Sequence, residues 1–211
     1  MDTPLHERVR LALAPIAGTL AKISEDAVTT AESAASVLEI PHTDHYQPTR
    51  VHMARARMHK RLCGVDLGPW ALDLGQRNNT PIHLRTEGLA LRFLHTSGVV
   101  PAPGTNLARQ YWYSNQGLFD DEALVARSVE MLLLLWTADF AAGTAFMRVV
   151  HPVGTWKYGE KAQTDLSIPL NDLEFFEDGG FDTRDDEEDL VMPSKREAAE
   201  ETQEGAGSVS A

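Results

Sequence analysis

The chain has 211 residues, 24% of them charged, a formal net charge of −12 and a single cysteine, Cys63. This length suffices for one domain with a buried core, and one cysteine excludes an internal disulfide and fits a reducing compartment. The first residues lack the basic start and apolar core of a signal peptide, and no apolar run is long enough to span a membrane. We therefore expect a cytoplasmic protein without a membrane role.

The negative charge is concentrated at the C-terminal end. Residues 172–211 contain 14 acidic and 3 basic side chains, a net charge of −11, whereas residues 1–171 contain 17 acidic and 16 basic, a net charge of −1. Residues 48–109 hold nine Arg or Lys and three Asp or Glu, a net charge of +6. Arginine outnumbers lysine and alanine is frequent, which is typical of a high-GC bacterial or phage gene.

These differences divide the chain into three predicted segments: an N-terminal helical segment over 1–40, an α+β core over 48–172 and an acidic tail over 173–211. The tail is too polar and too charged to fold alone, so we predict that it is disordered. Within it, Leu190-Val191-Met192 follows the acidic run Asp185–Asp189 and is a candidate docking element. Such a tail can also fold back on a basic face and compete with nucleic acid.

Apolar and small residues recur every three or four positions from Val9 to Val37, which is typical of a helix with an apolar seam. Pro15 lacks an amide donor and is expected to kink or restart this helix, and Pro41 to end it. Two interpretations of the seam remain open. It packs on the protein's own domain, or it joins two copies of the chain in a homodimer.

A second helix is predicted from Thr49 to Val65. Its apolar stripe consists of Val51, Ala54, Met58, Leu62 and Val65. Arg50, Arg57 and Arg61 lie on a neighbouring stripe, and no acidic residue occurs between Thr49 and Gly64. Since a guanidinium matches the oxygens of a phosphate, this stripe is a candidate phosphate-contacting surface. The alternative is a solvated helix face that pairs with acidic residues elsewhere.

A β-hairpin is predicted around a two-residue turn at Glu87-Gly88. The pairs that this register places on one apolar face are Ile82 with Phe93, Leu84 with Leu91 and Thr86 with Leu89. The opposite face carries the basic side chains of His83, Arg85 and Arg92. These three residues would extend the basic surface of the second helix if the hairpin adjoins it.

A short helix is predicted around Arg109 to Tyr113, capped by Thr105 or Asn106. Its three adjacent aromatic residues could stack on bases, but successive helical residues point about 100° apart, so at least one is expected in the core. The acidic residues 120–122 then suit the start of another short helix over 123–129.

The strongest apolar run, Met131 to Trp136, predicts the central strand of a sheet. A return strand is expected over Phe146 to Val150 and an edge strand over Thr164 to Leu170, where apolar and polar residues alternate. The fold class predicted from these elements is α+β, with N-terminal helices packed on an antiparallel β-meander.

Catalytic and metal-binding patterns are weak. Gly154 to Lys161 resembles a phosphate loop only superficially, because Glu160 takes the place of its lysine and no Ser or Thr follows Lys161. His52 and His59 are two helical turns apart, about 10 Å, which is too far for one ion. The remaining combinations, His42 and His45 with Asp44, or Glu130 with Asp139, are explained more simply by a linker and by strand ends. No catalytic residue, metal site or cofactor is predicted.

The sequence thus favours a non-enzymatic binding or regulatory protein whose basic surface meets an anionic partner, with nucleic acid as one candidate, under control of its acidic tail. The residues assigned to this surface are Arg50, Arg57, Lys60, Arg61, His83, Arg85, Arg92 and Arg109. One alternative is a protein-interaction or dimerisation module that uses the N-terminal helix. A more distant alternative is a metal-dependent hydrolase.

Overall fold

A computed structural model describes residues 4–74, 81–105, 107–114 and 129–170. Within these ranges the chain forms N-terminal helices and a mostly antiparallel six-stranded sheet, which confirms the predicted α+β class. The acidic tail, Asn106 and residues 123–128 of the expected short helix lie outside the described residues.

The helices follow the apolar periodicity of the sequence. They are α1 (Leu5–Leu13), α2 (Ala17–Val37), α3 (Gln47–Leu62) and α4 (Leu107–Ser114), with a short 3-10 turn at Asp44–Tyr46 before α3. The break between α1 and α2 falls at Pro15, as expected for a residue without an amide donor. Among the described helices, none combines the length and apolar character needed to cross a membrane.

The strands form one sheet in the order of the sequence. They are β1 (Ala71–Leu72), β2 (His83–Thr86), β3 (Leu89–His95), β4 (Glu130–Asp139), β5 (Thr144–Pro152) and β6 (Thr164–Pro169). Leu84 pairs with Leu91 and Thr86 with Leu89, so the hairpin register is confirmed. Gly88, with a φ of 71°, supplies the left-handed turn position that glycine adopts readily. Strand β6 lies at the edge, as predicted from Pro169.

One pairing differs from the predicted meander, because β3 and β4 run parallel, with Leu91 opposite Leu132. The two strands are joined by residues 96–129, and a connection of this length carries the chain back across the sheet. A short turn would have required an antiparallel pair, whereas a long crossover permits a parallel one. The two hairpins therefore share a single sheet through its centre.

Helices cover both faces of the sheet, which explains why the β4 run is apolar throughout. Leu132, Leu134 and Trp136 share a core with α1, α2 and α3. Leu133 and Leu135 share a second core with Trp112 and Tyr113 of α4. We call these the α1–α3 face and the α4 face.

The N-terminal seam is buried within the chain itself. Its first six positions are fully or nearly fully buried: Val9, Leu13, Ile16, Leu20, Ile23 and Ala27. They pack in the core of the α1–α3 face. Its last three positions are less buried, since Thr30 and Val37 are exposed and Ala34 is partly buried. A dimer through the buried part would therefore require the fold to open.

Candidate anion-binding surfaces

Arg50, the first residue of the predicted basic stripe, is 1% exposed. Its Nε donates to Glu32 Oε2 of α2 at 2.9 Å, and its Nη1 and Nη2 donate to the carbonyl oxygens of Pro41 and Ile40 at 2.9 and 2.8 Å. Each of its three nitrogens thus serves an acceptor of the same chain. Arg50 ties the connection between α2 and α3 to the start of α3, and it lies inside the fold.

Glu32 is the charged partner of this buried arginine. Burial acts to raise the pKa of its carboxyl, but hydrogen bonds from Arg50, His42 and Ser36 outweigh burial and hold the pKa below its ordinary value of 4.5. His42 Nε2 lies 2.7 Å from Glu32 Oε1. His42, one of the predicted linker histidines, is therefore engaged with a carboxylate of α2.

The C-terminal half of α3 presents its cations differently. Arg57 Nε donates to Asp26 Oδ2 at 2.9 Å, and Arg61 Nε lies 3.6 Å from the same oxygen. The hydrogen bond from Arg57 holds the pKa of Asp26 below its ordinary value of 3.8, against the opposing effect of burial, and the charges of Arg57 and Arg61 assist. Two guanidinium groups therefore share one carboxylate, which leaves a local excess of positive charge.

Lys60 lies beside this pair and is exposed. It makes no ion pair with any described residue. The side chains of Arg57 and Arg61 are 36% and 47% exposed. We call Arg57, Lys60 and Arg61 the basic patch. Cations in the last turn of a helix also stabilise it by meeting the negative end of its dipole, so the helix itself benefits from them.

The other predicted basic residues lie across the sheet, on the α4 face. His83 is directly opposite Arg92 in the β2–β3 pair, and its ring centroid is 5.0 Å from that of Trp112. Arg109 of α4 is buried, and Arg85 is exposed at 3.3 Å from Asp73. The hairpin therefore does not adjoin α3 through its basic face, and the eight residues form two groups separated by the sheet.

Arg148 of β5 joins the group on the α4 face and was missed in the sequence analysis. Its Nη2 donates to the carbonyl oxygen of Gly98 at 2.7 Å, and burial lowers its pKa. Arg148 pairs with Leu135 across β4 and β5, on the side that faces α4. The available signal was the alternation of β5, where Arg148 stands between the apolar residues Met147 and Val149.

The aromatic residues of α4 belong mainly to the core. Trp112 and Tyr113 are buried, and the hydroxyl of Tyr113 donates to the carbonyl oxygen of Pro101 at 2.9 Å. Tyr111 is half-buried against the same core. The expectation that at least one of the three is core is confirmed, and a shared stacking platform is not formed.

One buried histidine between two carboxylates, a group that the sequence did not reveal, lies where β4, β5 and β6 meet. The Nδ1 of buried His151 is 2.6 Å from Asp165 Oδ1, and its Nε2 is 3.4 Å from Glu130 Oε2. Among the described residues there is no group of three or more His, Cys, Asp or Glu able to hold a metal ion. Glu130 and Asp139, considered above as a combination, lie at opposite ends of β4 and have separate partners. Glu130 pairs with His151, and Asp139 accepts a hydrogen bond from the amide of Ala142.

Comparison with known protein families, with curated proteins and with solved structures gives no match to this chain. The function has to be argued from the geometry described above.

Proposed function

We propose that this chain is a non-enzymatic binding protein that engages an anionic partner, with nucleic acid as the first candidate, through the basic patch of α3. The observation that carries the proposal is the sharing of Asp26 by two partly exposed arginines beside an exposed lysine. Of the predicted basic residues, these three combine exposure, proximity and incomplete neutralisation. The residues of the α4 face, by contrast, are mostly buried or half-buried.

The contact between Arg61 and Asp26 is easily exchanged for a phosphate. At 3.6 Å between partly exposed side chains, such a pair contributes about 0–1 kcal/mol. A phosphate of the partner offers the same guanidinium several strong acceptors in a better geometry. While Arg61 contacts the phosphate, Arg57 keeps the Asp26 carboxylate in place through its shorter hydrogen bond.

The size of the patch sets the expected salt dependence. Three phosphate contacts on duplex DNA release about three counterions, which gives a slope of roughly −2.7 for log K against log salt. Between 50 and 200 mM salt the affinity should then fall about 40-fold. A flatter slope would mean fewer charge contacts than the patch provides.

The acidic tail is the proposed regulator of this surface. The net charge of −11 over residues 172–211 opposes the charge of the patch, so the tail can compete with an anionic partner. Replacing Asp185, Asp186, Glu187 and Glu188 by their amides should strengthen nucleic-acid binding without altering the described fold.

The test is binding of labelled duplex DNA and single-stranded RNA to the full chain, to the amide variant of the tail and to patch variants, across a salt series. Charge reversal by Lys60→Glu with Arg61→Glu should abolish binding. Arg10→Glu is the control, because Arg10 is also exposed and its one ion pair among the described residues is with Glu7, and this variant should bind as the parent does. Loss of binding in Arg85→Glu instead would place the site on the α4 face. Absence of binding by both parent and tail variant would refute the proposal.

A further inference from the structure

A groove lies directly beyond the C-terminal end of α3. Its volume is about 320 Å³, and its lining includes Leu62, Cys63, Leu67, Trp70, Leu72 and Leu74. Leu74 is 70% exposed and Cys63 is exposed, so the groove is open to solvent. This is the small end of the range of ligand pockets, about 300–1,000 Å³. An open groove of this size suits a few apolar side chains of a chain segment.

The basic patch and the groove are neighbours. Arg61 of the patch is followed immediately by Leu62 and Cys63 of the groove. One helical turn is about 5.4 Å, so the cations of the patch stand at the entrance of the groove. A rim carboxylate, Asp66, is engaged by the amide of Gly68 at 2.8 Å. The surface therefore offers positive charge on one side and apolar side chains on the other.

The tail contains the complementary order. Five acidic residues, Asp185 to Asp189, are followed without interruption by Leu190, Val191 and Met192. An acidic stretch placed on the patch would bring these apolar side chains to the groove. Elsewhere in 171–211, Leu173, Phe175-Phe176 and Phe181 also lie near acidic residues. The first three follow β6 by only a few positions, and Phe181 is a single apolar residue rather than a run of three.

The length of the chain allows this placement. The tail leaves the sheet after β6, whereas the groove lies beside β1, five strand spacings away. Strands are about 4.8 Å apart, so the sheet is roughly 24 Å wide. Residues 171–184 can extend to about 46 Å, which reaches around the sheet with slack. The segment beginning with Phe175 is too close to β6 to do so.

The geometry points to intramolecular docking of residues 185–192, with the acidic run on the basic patch and Leu190, Val191 and Met192 in the groove. The docked tail occupies the surface that the proposed function assigns to the anionic partner. Tail and partner then exclude each other, which makes the tail an autoinhibitory element. Docking itself does not require the external partner, so its test contains no nucleic acid.

The expected occupancy follows from tethering. A flexible tether gives an effective concentration of the order of 1 mM. A segment with an intrinsic Kd of roughly 0.1 mM would then be docked about nine-tenths of the time, and any group it covers would be protected about tenfold. Weak contacts, such as one apolar cluster and a few screened charge pairs, are enough for this affinity.

Cys63 provides the measurement, because it is the single cysteine of the chain and lines the groove. The rate of its reaction with a small neutral maleimide is measured on the full chain at low salt. Replacing Leu190, Val191 and Met192 by serine should raise this rate about tenfold if docking has the strength given above. High salt should raise the rate of the parent chain partway toward that of the variant, since salt weakens only the charge contacts.

Matched variants of the folded part complete the test. Leu74→Asp places a charge in the groove and should also raise the rate, whereas Leu107→Asp changes an equally exposed leucine on α4 and should not. Equal rates for the parent and the serine variant would refute docking. Protection that increases with protein concentration would refute the intramolecular arrangement and assign the groove to the tail of another copy.

Discussion

The two halves of α3 use the same residue type in opposite ways. Arg50 in the first half is buried and donates to Glu32 and to two backbone carbonyls, whereas Arg61, about 16 Å further along the helix, is 47% exposed and shares Asp26 with Arg57. What differs is the opposing surface: the turn that closes on α3 surrounds Arg50, and no turn in the described part of the chain covers Arg61. A stripe of like charges on one helix can therefore combine a buried residue that stabilises the fold with residues that stay open to solvent.

Of the changes predicted here, removal of the buried Arg50 should lower the stability of the protein most. Arg50→Met leaves Glu32 without its buried partner and two carbonyl oxygens without their donors, and we expect it to lower the free energy of unfolding by about 3–5 kcal/mol. Urea denaturation of Arg50→Met, with Arg61→Met as the comparison, measures the difference. Arg61→Met should change stability by less than about 0.5 kcal/mol. Similar losses in the two variants would contradict the distinction between the halves.

His95 of β3, which is affected by charges on α3, should make the stability of the protein depend on pH. Burial lowers the pKa of His95 to about 4, and the charges of Arg55 and His52 on α3 add to this effect. Because the unfolded histidine titrates near 6.5, stability should be full above pH 6.5 and fall as the pH drops to about 4, by roughly 2–3 kcal/mol. Urea denaturation across this range measures it. His95→Gln should remove this part of the pH dependence, and an unchanged slope would show that another group is responsible.

A smaller effect is expected from Glu32, in a more acidic window. Its lowered pKa means that its contribution is present above 4.5 and is lost as the pH falls through the folded value. Glu32→Gln, which resembles the protonated state, should therefore be about 2 kcal/mol less stable than the parent at pH 7. The two proteins should converge once the pH falls below the lowered pKa of Glu32, where the parent carboxyl is itself protonated. A difference that persists undiminished in acid would mean that the charge of Glu32 is not what stabilises Arg50.

The smallest effect on stability is expected at the exposed half. Asp26→Asn should destabilise the protein by less than about 1 kcal/mol, because its arginine partners are partly exposed. The same change removes the carboxylate that the patch shares, so it should strengthen binding of labelled duplex DNA at low salt. Weaker DNA binding by this variant would show that Asp26 orients Arg57 for the partner.

Local patterns explain how much of the fold the sequence could predict. The apolar stripe of α3 and the register of the β2–β3 hairpin each depend on residues close together in the chain, and both agree with the structure. The parallel pairing of β3 and β4 could not be predicted, because a long connection leaves the direction of return open.

The roles of single residues depended on distant partners. Arg50 is buried against Glu32, which precedes it by 18 positions on a different helix, so nothing in α3 itself distinguished it from Arg57. His151 meets Asp165 and Glu130 only because three strands align. The basic patch could be located from charge alone. Its separation from His83 and Arg92 could be seen only once the structure showed which face of the sheet carries these two side chains.

The parallel pair at the centre of the sheet also bears on how the chain folds. The contacts of β2 with β3 and of β4 with β5 join residues close in sequence, whereas the pairing of Leu91 with Leu132 spans the whole connection between them. Non-local pairings carry a loop-closure entropy that local hairpins avoid, and they slow folding. The two halves of the sheet should thus assemble early and independently, and their union along β3 and β4 should limit the folding rate. Variants that shorten the connection would then accelerate folding more than variants that strengthen either hairpin.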